Sequence, residues 1–149
     1  MEIHLGNIGN TIQLAIAPVF LLTGVGTNLT VLTNRLARII DRSRVLEERI
    51  ETAPEAGHEA AHRELEALYR RATLINRAIT LSTACGLLVC LVIATLFIGA
   101  AVDVNLATFI AVCFVAGMFS LIGSFVYLLR EIFVAIRAFS VQRIVTSFS

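Results

Sequence analysis

The sequence predicts an all-α integral membrane protein with three transmembrane helices and a cytoplasmic antiparallel helical hairpin between spans one and two. Three long runs lack Asp, Glu and Arg, and each can cross about 30 Å of hydrocarbon as a helix of ~20 residues. These runs cover residues 5–34, 78–102 and 106–129. All 12 basic residues are arginines, which lie in two clusters at 35–77 and 130–143. The periodicity of the first cluster predicts the hairpin.

The composition favours a membrane protein over a soluble domain. Hydrophobic residues make up 57% of the chain and charged residues only 15%, against about 25% charged residues in an ordinary soluble domain. A transmembrane barrel would show short alternating segments, whereas these apolar runs are continuous, so helices are predicted. The lipid bilayer is therefore the first expected partner.

The arginine clusters predict the orientation in the membrane. Basic residues next to spans face the cytoplasm, which places the N-terminus outside and the C-terminus inside. The start of the chain lacks a basic region and a small-residue cleavage site, so span one is expected to stay as an anchor. The predicted parts are an exported N-terminus with span one (1–34), the hairpin (35–77), spans two and three (78–129) and a cytoplasmic amphipathic tail (130–149).

Both arms of the predicted hairpin carry apolar residues at alternating spacings of four and three. The first arm has Leu32, Leu36, Ile39, Ser43, Leu46 and Ile50, and the second has Ala61, Leu65, Leu68, Ala72, Ile75 and Ile79. This heptad spacing predicts a coiled-coil seam, with a turn at Pro54 and Gly57. Matching the two seams pairs positions whose numbers sum to about 111. That register predicts an ion pair between Asp41 and Arg70.

Several arginines of the hairpin lie close to the predicted membrane surface. The candidate contacts to lipid headgroups are Arg35, Arg38, Arg42, Arg71 and Arg77. Anionic lipids are a candidate partner, because each basic residue near such a surface contributes about 1 kcal/mol. The alternative is a topology signal with solvated salt bridges. Nucleic acid is not an expected partner, because eight acidic residues nearly cancel the nine arginines of this segment.

One motif in the hairpin resembles a metal site. His58, Glu59 and His62 match the zinc-peptidase helix pattern, in which two histidines bind zinc and the glutamate activates its water. A catalytic zinc needs a third protein ligand, and the remaining histidine, His4, lies on the other side of the predicted membrane. The motif is therefore interpreted as an exposed hairpin tip, with a zinc peptidase as a remote alternative. No catalytic residue, metal or cofactor is predicted.

Span one carries a polar stripe. Thr23, Thr27, Thr30 and Asn34 recur at helical spacing along one face, and Asn28 lies beside them. Polar groups in hydrocarbon face other helices or water. The stripe therefore predicts either a packed helix contact or the lining of an aqueous pore.

Small residues in spans two and three predict close helix packing. They include Gly86 and Cys90 in span two and Gly117 and Ser124 in span three. Because three spans offer few faces, some of these stripes are expected between subunits of a homo-oligomer. The leading hypothesis is a non-enzymatic, self-associating scaffold or accessory subunit of a larger membrane complex. The second hypothesis is a homo-oligomeric ion-conducting pore lined by span one.

The tail after span three alternates arginines with apolar residues. Arg130, Arg137 and Arg143 are interspersed with isoleucine and phenylalanine. This pattern is typical of an amphipathic helix at the cytoplasmic interface, or of an extension of span three.

Three runs of the sequence are similar to a known family. They are Ala15 to Leu22, Leu32 to Arg42, and Arg70 to Ile79, and Leu129 to Ile132 fits as well. With these runs the chain resembles a family of small bacterial three-span membrane proteins catalogued only as a domain of unknown function. The resemblance implies a location in the bacterial cytoplasmic (inner) membrane and supplies no activity.

Overall fold

The computed structural model is all-helical and describes residues 5–52, 58–102 and 104–146. It contains helices α1 (Leu5–Thr52), α2 (His58–Val102) and α3 (Ala107–Thr146). Each described helix includes a stretch long and apolar enough to cross a membrane. The prediction of an all-α protein with three membrane-spanning helices is therefore confirmed at that level.

The helices are longer than a bilayer requires. They contain 48, 45 and 40 residues, or roughly 60–70 Å at 1.5 Å per residue, about twice the thickness of the hydrocarbon core. Helix α1 passes through residues 34 and 35 without a break, and α2 passes through residues 77 and 78. The tail begins as a continuation of α3. The predicted turn residues Pro54 and Gly57 lie outside the described residues, as does the side chain of Arg143.

The chain divides into two compact units. The first unit comprises Met1–Thr30 and Thr80–Gly123. Its core consists of Val25, Cys85 and Val89, which are almost completely buried. Partly buried apolar side chains surround these residues: Leu21, Leu22, Leu29, Ile93 and Leu121. Since these residues come from all three helices, the first unit is a packed helical core of its own.

Small and hydroxyl side chains bring α2 and α3 together in the first unit. A Cβ atom at Gly117 would lie 3.6 Å from the Cβ of Leu88 and 3.9 Å from the Sγ of Cys85. The Ser120 hydroxyl donates a 2.7 Å hydrogen bond to the carbonyl of Leu81. Part of the small-residue pattern in spans two and three is thus used within a single chain.

The second unit comprises Val31–Ile79 and Ser124–Ser149. Its buried core contains Leu32, Ile39, Leu68, Ile75 and Ala78, and every one of these except Ala78 lies on the predicted seams. Tyr127 and Leu128 of α3 also pack against this core. The sequence prediction of a seam shared by two arms was therefore incomplete, because a third helix contributes. A seam of about two and a half heptads is marginal alone, and packing of this kind stabilises it.

Candidate functional site

The second unit contains a buried carboxylate held by two arginines. Glu131 of α3 has no exposed surface. One of its oxygens, Oε2, accepts a 2.9 Å hydrogen bond from Nη1 of Arg35 in α1. Its other oxygen, Oε1, accepts two bonds from Arg71 in α2, from Nε at 2.9 Å and from Nη2 at 2.8 Å. We refer to these three residues as the Glu131 cluster.

The geometry of the Glu131 cluster explains how a carboxylate tolerates this position. A buried charge is costly unless it is paired and its lone pairs are satisfied. The Arg71 guanidinium approaches with two adjacent N–H groups, a directional arrangement that lysine cannot reproduce. The side chains of Arg71 and Arg35 are 22% and 35% exposed, so the cations reach solvent while the carboxylate does not. The cluster ties together segments from α1, α2 and α3 and fixes their register within the unit.

The five arginines predicted to contact lipid headgroups do not share one environment. Arg35 and Arg71 bind Glu131, and Arg42 forms a 2.8 Å ion pair with Glu64 of α2. Nε of Arg38 donates to the carbonyl of Asn34 in its own helix, and Arg77 is exposed. The structure therefore gives two of the five a structural partner in the unit core.

Sequence reasoning missed Glu131 as a site residue. It is the only acidic residue of α3, and it lies two residues beyond the end of a long uncharged run. A lone carboxylate in such a position requires cationic partners, and the arginine-rich first cluster could supply them. That signal was available, but it did not identify Arg35 and Arg71 among nine candidates.

The structure does not bring Asp41 and Arg70 into an ion pair. Both side chains are exposed, and the ion pairs of the described residues involve Arg35, Arg42, Arg63 and Arg71 instead. An ion pair between exposed side chains contributes little to the free energy of folding. The seam register alone therefore does not ensure that this pair forms. Polar links between α1 and α2 in this unit include those of Arg42 with Glu64 and of Tyr69 with Glu47.

The link between Tyr69 and Glu47 gives a testable titration. The Tyr69 hydroxyl donates a 2.6 Å hydrogen bond to Oε1 of Glu47. That hydrogen bond, and then the negative charge of Glu47, raise the pKa of Tyr69 above 10.0. In a Tyr127→Phe background Tyr69 is the one remaining tyrosine, because the chain has two. We expect its phenolate absorbance to appear with a midpoint above 10.0, and Glu47→Ala to lower that midpoint.

The sign of the linkage follows from the raised pKa. The bond stabilises the fold below the unfolded-state pKa of tyrosine, and this contribution is lost as the pH rises through the folded-state pKa. Glu48→Ala, which removes the neighbouring exposed carboxylate, is the matched control and should leave the midpoint unchanged. An identical midpoint with and without Glu47 would contradict the assignment.

The polar stripe of span one divides between two environments. Thr23, Thr27 and Thr30 are exposed, and each hydroxyl donates to the carbonyl four residues earlier, at 3.4, 3.1 and 3.1 Å. Asn28 is buried, and its Nδ2 donates to Oγ of Ser82 in α2 at 3.2 Å. Asn34 is exposed in the second unit. The single chain therefore buries Asn28 and leaves the threonines on its surface.

The histidine motif at the start of α2 has no third ligand among the described residues. The rings of His58 and His62 lie edge to face, with centroids 6.5 Å apart. Glu59 forms a 2.6 Å ion pair with Arg63 one turn later. Within the described part of the chain, no group of three or more His, Cys, Asp or Glu side chains could hold a metal ion.

Comparison with known proteins identifies a family that covers most of the chain. Residues 15–141 match the family described as "Protein of unknown function (DUF2721)". No curated protein and no solved structure matches the chain significantly. The match includes the runs on which the sequence resemblance was based and most of all three helices, so that resemblance is confirmed. The chain therefore belongs to the DUF2721 family, whose function is unknown.

Proposed function

We propose that this protein is a non-enzymatic, self-associating scaffold, or an accessory subunit of a larger complex, in the bacterial cytoplasmic membrane. The observation that carries this proposal is the face of α1 containing Thr23, Thr27 and Thr30, which the single chain leaves exposed. We call these three residues the threonine face. The occupant that fits this face best is a second copy of the same helix.

The exposed side of α1 changes character along its length. Toward the N-terminus it presents large apolar side chains, including Ile12, Ile16 and Phe20. These side chains are suited to lipid tails. The same side then continues into the threonine face, flanked by Gly24 and Gly26, where an added Cβ would meet nothing within 4 Å. Small residues at such spacing allow two transmembrane helices to approach closely, so this part of α1 is suited to another helix.

The hydroxyl bonding favours a packed contact over a water-filled pore. Each hydroxyl of the threonine face already donates to a carbonyl of its own helix. Such a side chain has no unsatisfied donor in a dry helix interface. An ion-conducting pore lined by the same face is the second hypothesis, and it differs in requiring water at Thr27.

The proposed topology places residues 35–77 in the cytoplasm as an antiparallel helical hairpin. The two arginine clusters support this orientation, since basic residues next to spans face the cytoplasm. In the proposed antiparallel register Arg42 lies opposite Tyr69 and Glu47 lies opposite Glu64, so the contacts of Arg42 with Glu64 and of Tyr69 with Glu47 are diagonal ones that long side chains can make. Their position numbers sum to 106 (42 + 64) and 116 (47 + 69), on either side of the predicted 111.

Cysteine cross-linking tests the threonine face. In a background with Cys85, Cys90 and Cys113 replaced by alanine, Thr27→Cys should form a disulfide-linked dimer when native membranes are oxidised. Thr83→Cys is the matched control, because Thr83 is also an exposed threonine of the first unit but lies on α2. It should remain monomeric.

The same variants distinguish the two hypotheses. If Thr27→Cys reacts with water-soluble thiol reagents from both sides of the membrane, the pore replaces the packed contact. If it neither cross-links nor reacts, and the wild-type protein has a monomeric mass in mild detergent and in native membranes, self-association is wrong. A Thr27→Leu variant should shift an oligomeric mass toward the monomer, whereas Thr83→Leu should not.

A further inference from the structure

The second unit contains an open groove between α2 and α3. Its volume is about 750 Å³. The lining side chains are Arg70, Leu74, Arg130, Phe133, Val134 and Arg137. We call this cavity the arginine groove. It combines three guanidinium groups with an apolar wall, and it does not include the residues of the Glu131 cluster.

The positive charges of Arg70 and Arg130 are not balanced by the described lining of the arginine groove. None of the described lining residues is a carboxylate. Glu131 is adjacent in sequence to Arg130, but it is buried and accepts its hydrogen bonds from Arg35 and Arg71. Arg70 and Arg130 are exposed and take part in none of the ion pairs of the described residues. The groove is therefore a positively charged site suited to an anion.

The apolar wall narrows the class of anion. Phe133 is 63% exposed, and Leu74 and Val134 line the same cavity. A small soluble anion would leave these side chains facing water. A ligand with a phosphate group and a hydrocarbon chain would contact both parts of the groove.

The position of the groove fits the membrane surface. Arg130 directly follows the end of the third apolar run, and Arg70 precedes the second run by eight residues, or roughly 12 Å along a helix. The polar layer of a bilayer extends about 5–8 Å beyond the hydrocarbon on each side, and long arginine side chains reach toward it. Arg130 thus lies at the start of the headgroup layer, and Arg70 lies within side-chain reach of it, so the arginine groove opens toward the lipid headgroups.

We propose that the arginine groove binds an anionic phospholipid. Arg70, Arg130 and Arg137 hold the phosphate-bearing headgroup, and Phe133 contacts an acyl chain. This site differs from the arginines suggested by the sequence, because the groove lies between α2 and α3. The proposal needs the chain to span a membrane, but it does not depend on self-association.

Lipid titration of the full-length protein tests the proposal. The protein is purified in a mild non-ionic detergent and titrated with phosphatidylglycerol, and the bound lipid is counted by native mass spectrometry. Each arginine near an anionic headgroup contributes about fivefold in affinity, so the triple variant Arg70→Gln/Arg130→Gln/Arg137→Gln should bind roughly a hundredfold more weakly. The Phe133→Ala variant should also bind more weakly.

A charge-matched variant provides the control. Arg38→Gln/Arg44→Gln/Arg77→Gln removes three exposed arginines of the same cytoplasmic region outside the groove, and it should change the affinity by less than about twofold. The Arg→Lys version of the groove variant retains the charge and should bind more tightly than the glutamine version. Unchanged helicity by circular dichroism shows that each variant is folded.

Three outcomes would overturn the proposal. Equal loss in the control variant would mean that charge alone attracts the lipid. Equal binding of phosphatidylcholine would mean that the groove does not recognise an anion. Displacement of the lipid by an equal concentration of inorganic phosphate would mean that the site binds free phosphate rather than a lipid.

Discussion

Replacing Arg71 with methionine is expected to destabilise the protein by about 3 kcal/mol, which is the scale for removing one partner from a buried ion pair. Glu131 is fully buried and takes two of its three hydrogen bonds from Arg71. Without Arg71, one carboxylate oxygen loses the donors that compensate its desolvation. Arg35→Met removes a single bond from a more exposed partner, so its effect should be smaller.

Arg70→Met is the matched control, because Arg70 is adjacent in sequence but exposed. Unfolding is followed by circular dichroism as sodium dodecyl sulfate is added to mixed micelles. The expected order of destabilisation is Arg71→Met, then Arg35→Met, then Arg70→Met. The triple variant Glu131→Leu/Arg35→Met/Arg71→Met should recover much of the loss, because it removes the buried charge with its partners. Equal effects at Arg70 and Arg71 would refute the role of the Glu131 cluster.

Ile75→Ala is expected to destabilise the second unit by about 2–5 kcal/mol, the range for truncating a buried isoleucine. Ile75 has no exposed surface and lies in the core with Leu32 and Ile39. Truncation removes three methyl or methylene groups. It leaves a cavity, because the surrounding helices, held in place by their other contacts, relax only partly into the space.

Ile40→Ala provides the control of identical chemistry. Ile40 lies beside Ile39 on α1 but is 39% exposed, so its truncation should cost less than about 1 kcal/mol. The same mixed-micelle unfolding measures both variants. If Ile75→Ala is as mild as Ile40→Ala, the core of the second unit does not contribute to stability as described.

The sequence predicted those features that depend on local periodicity. Apolar runs without charge identified the three long helices, and the spacing of Leu32, Ile39, Leu68 and Ile75 identified side chains that the structure buries. Hydrophobic periodicity of this kind can be recognised in a sequence, because residues three or four positions apart lie on the same face of a helix. The packing of Tyr127 against this core could not be predicted, because the seam pattern contains no information about a third helix.

The candidate site depended on contacts between distant parts of the chain. Glu131 lies 96 residues from Arg35 and 60 residues from Arg71, and no spacing rule connects such positions. The environment of the polar stripe of span one also depends on contacts between distant residues. Its helical face was predicted, but the burial of Asn28 against Ser82 depends on where α2 packs. Nine arginines offered many pairings, and burial selected among them.

The internal bonding of the threonine face has a consequence for biosynthesis. Hydrogen-bonding potential that is satisfied inside one helix does not require a neighbouring helix during insertion. Thr23, Thr27 and Thr30 meet that condition through carbonyls of α1 itself. These three threonines therefore need no neighbouring helix when the first span of a newly made chain moves from the translocon into lipid. Hydropathy values for free threonine overstate the cost that these three residues add to that step.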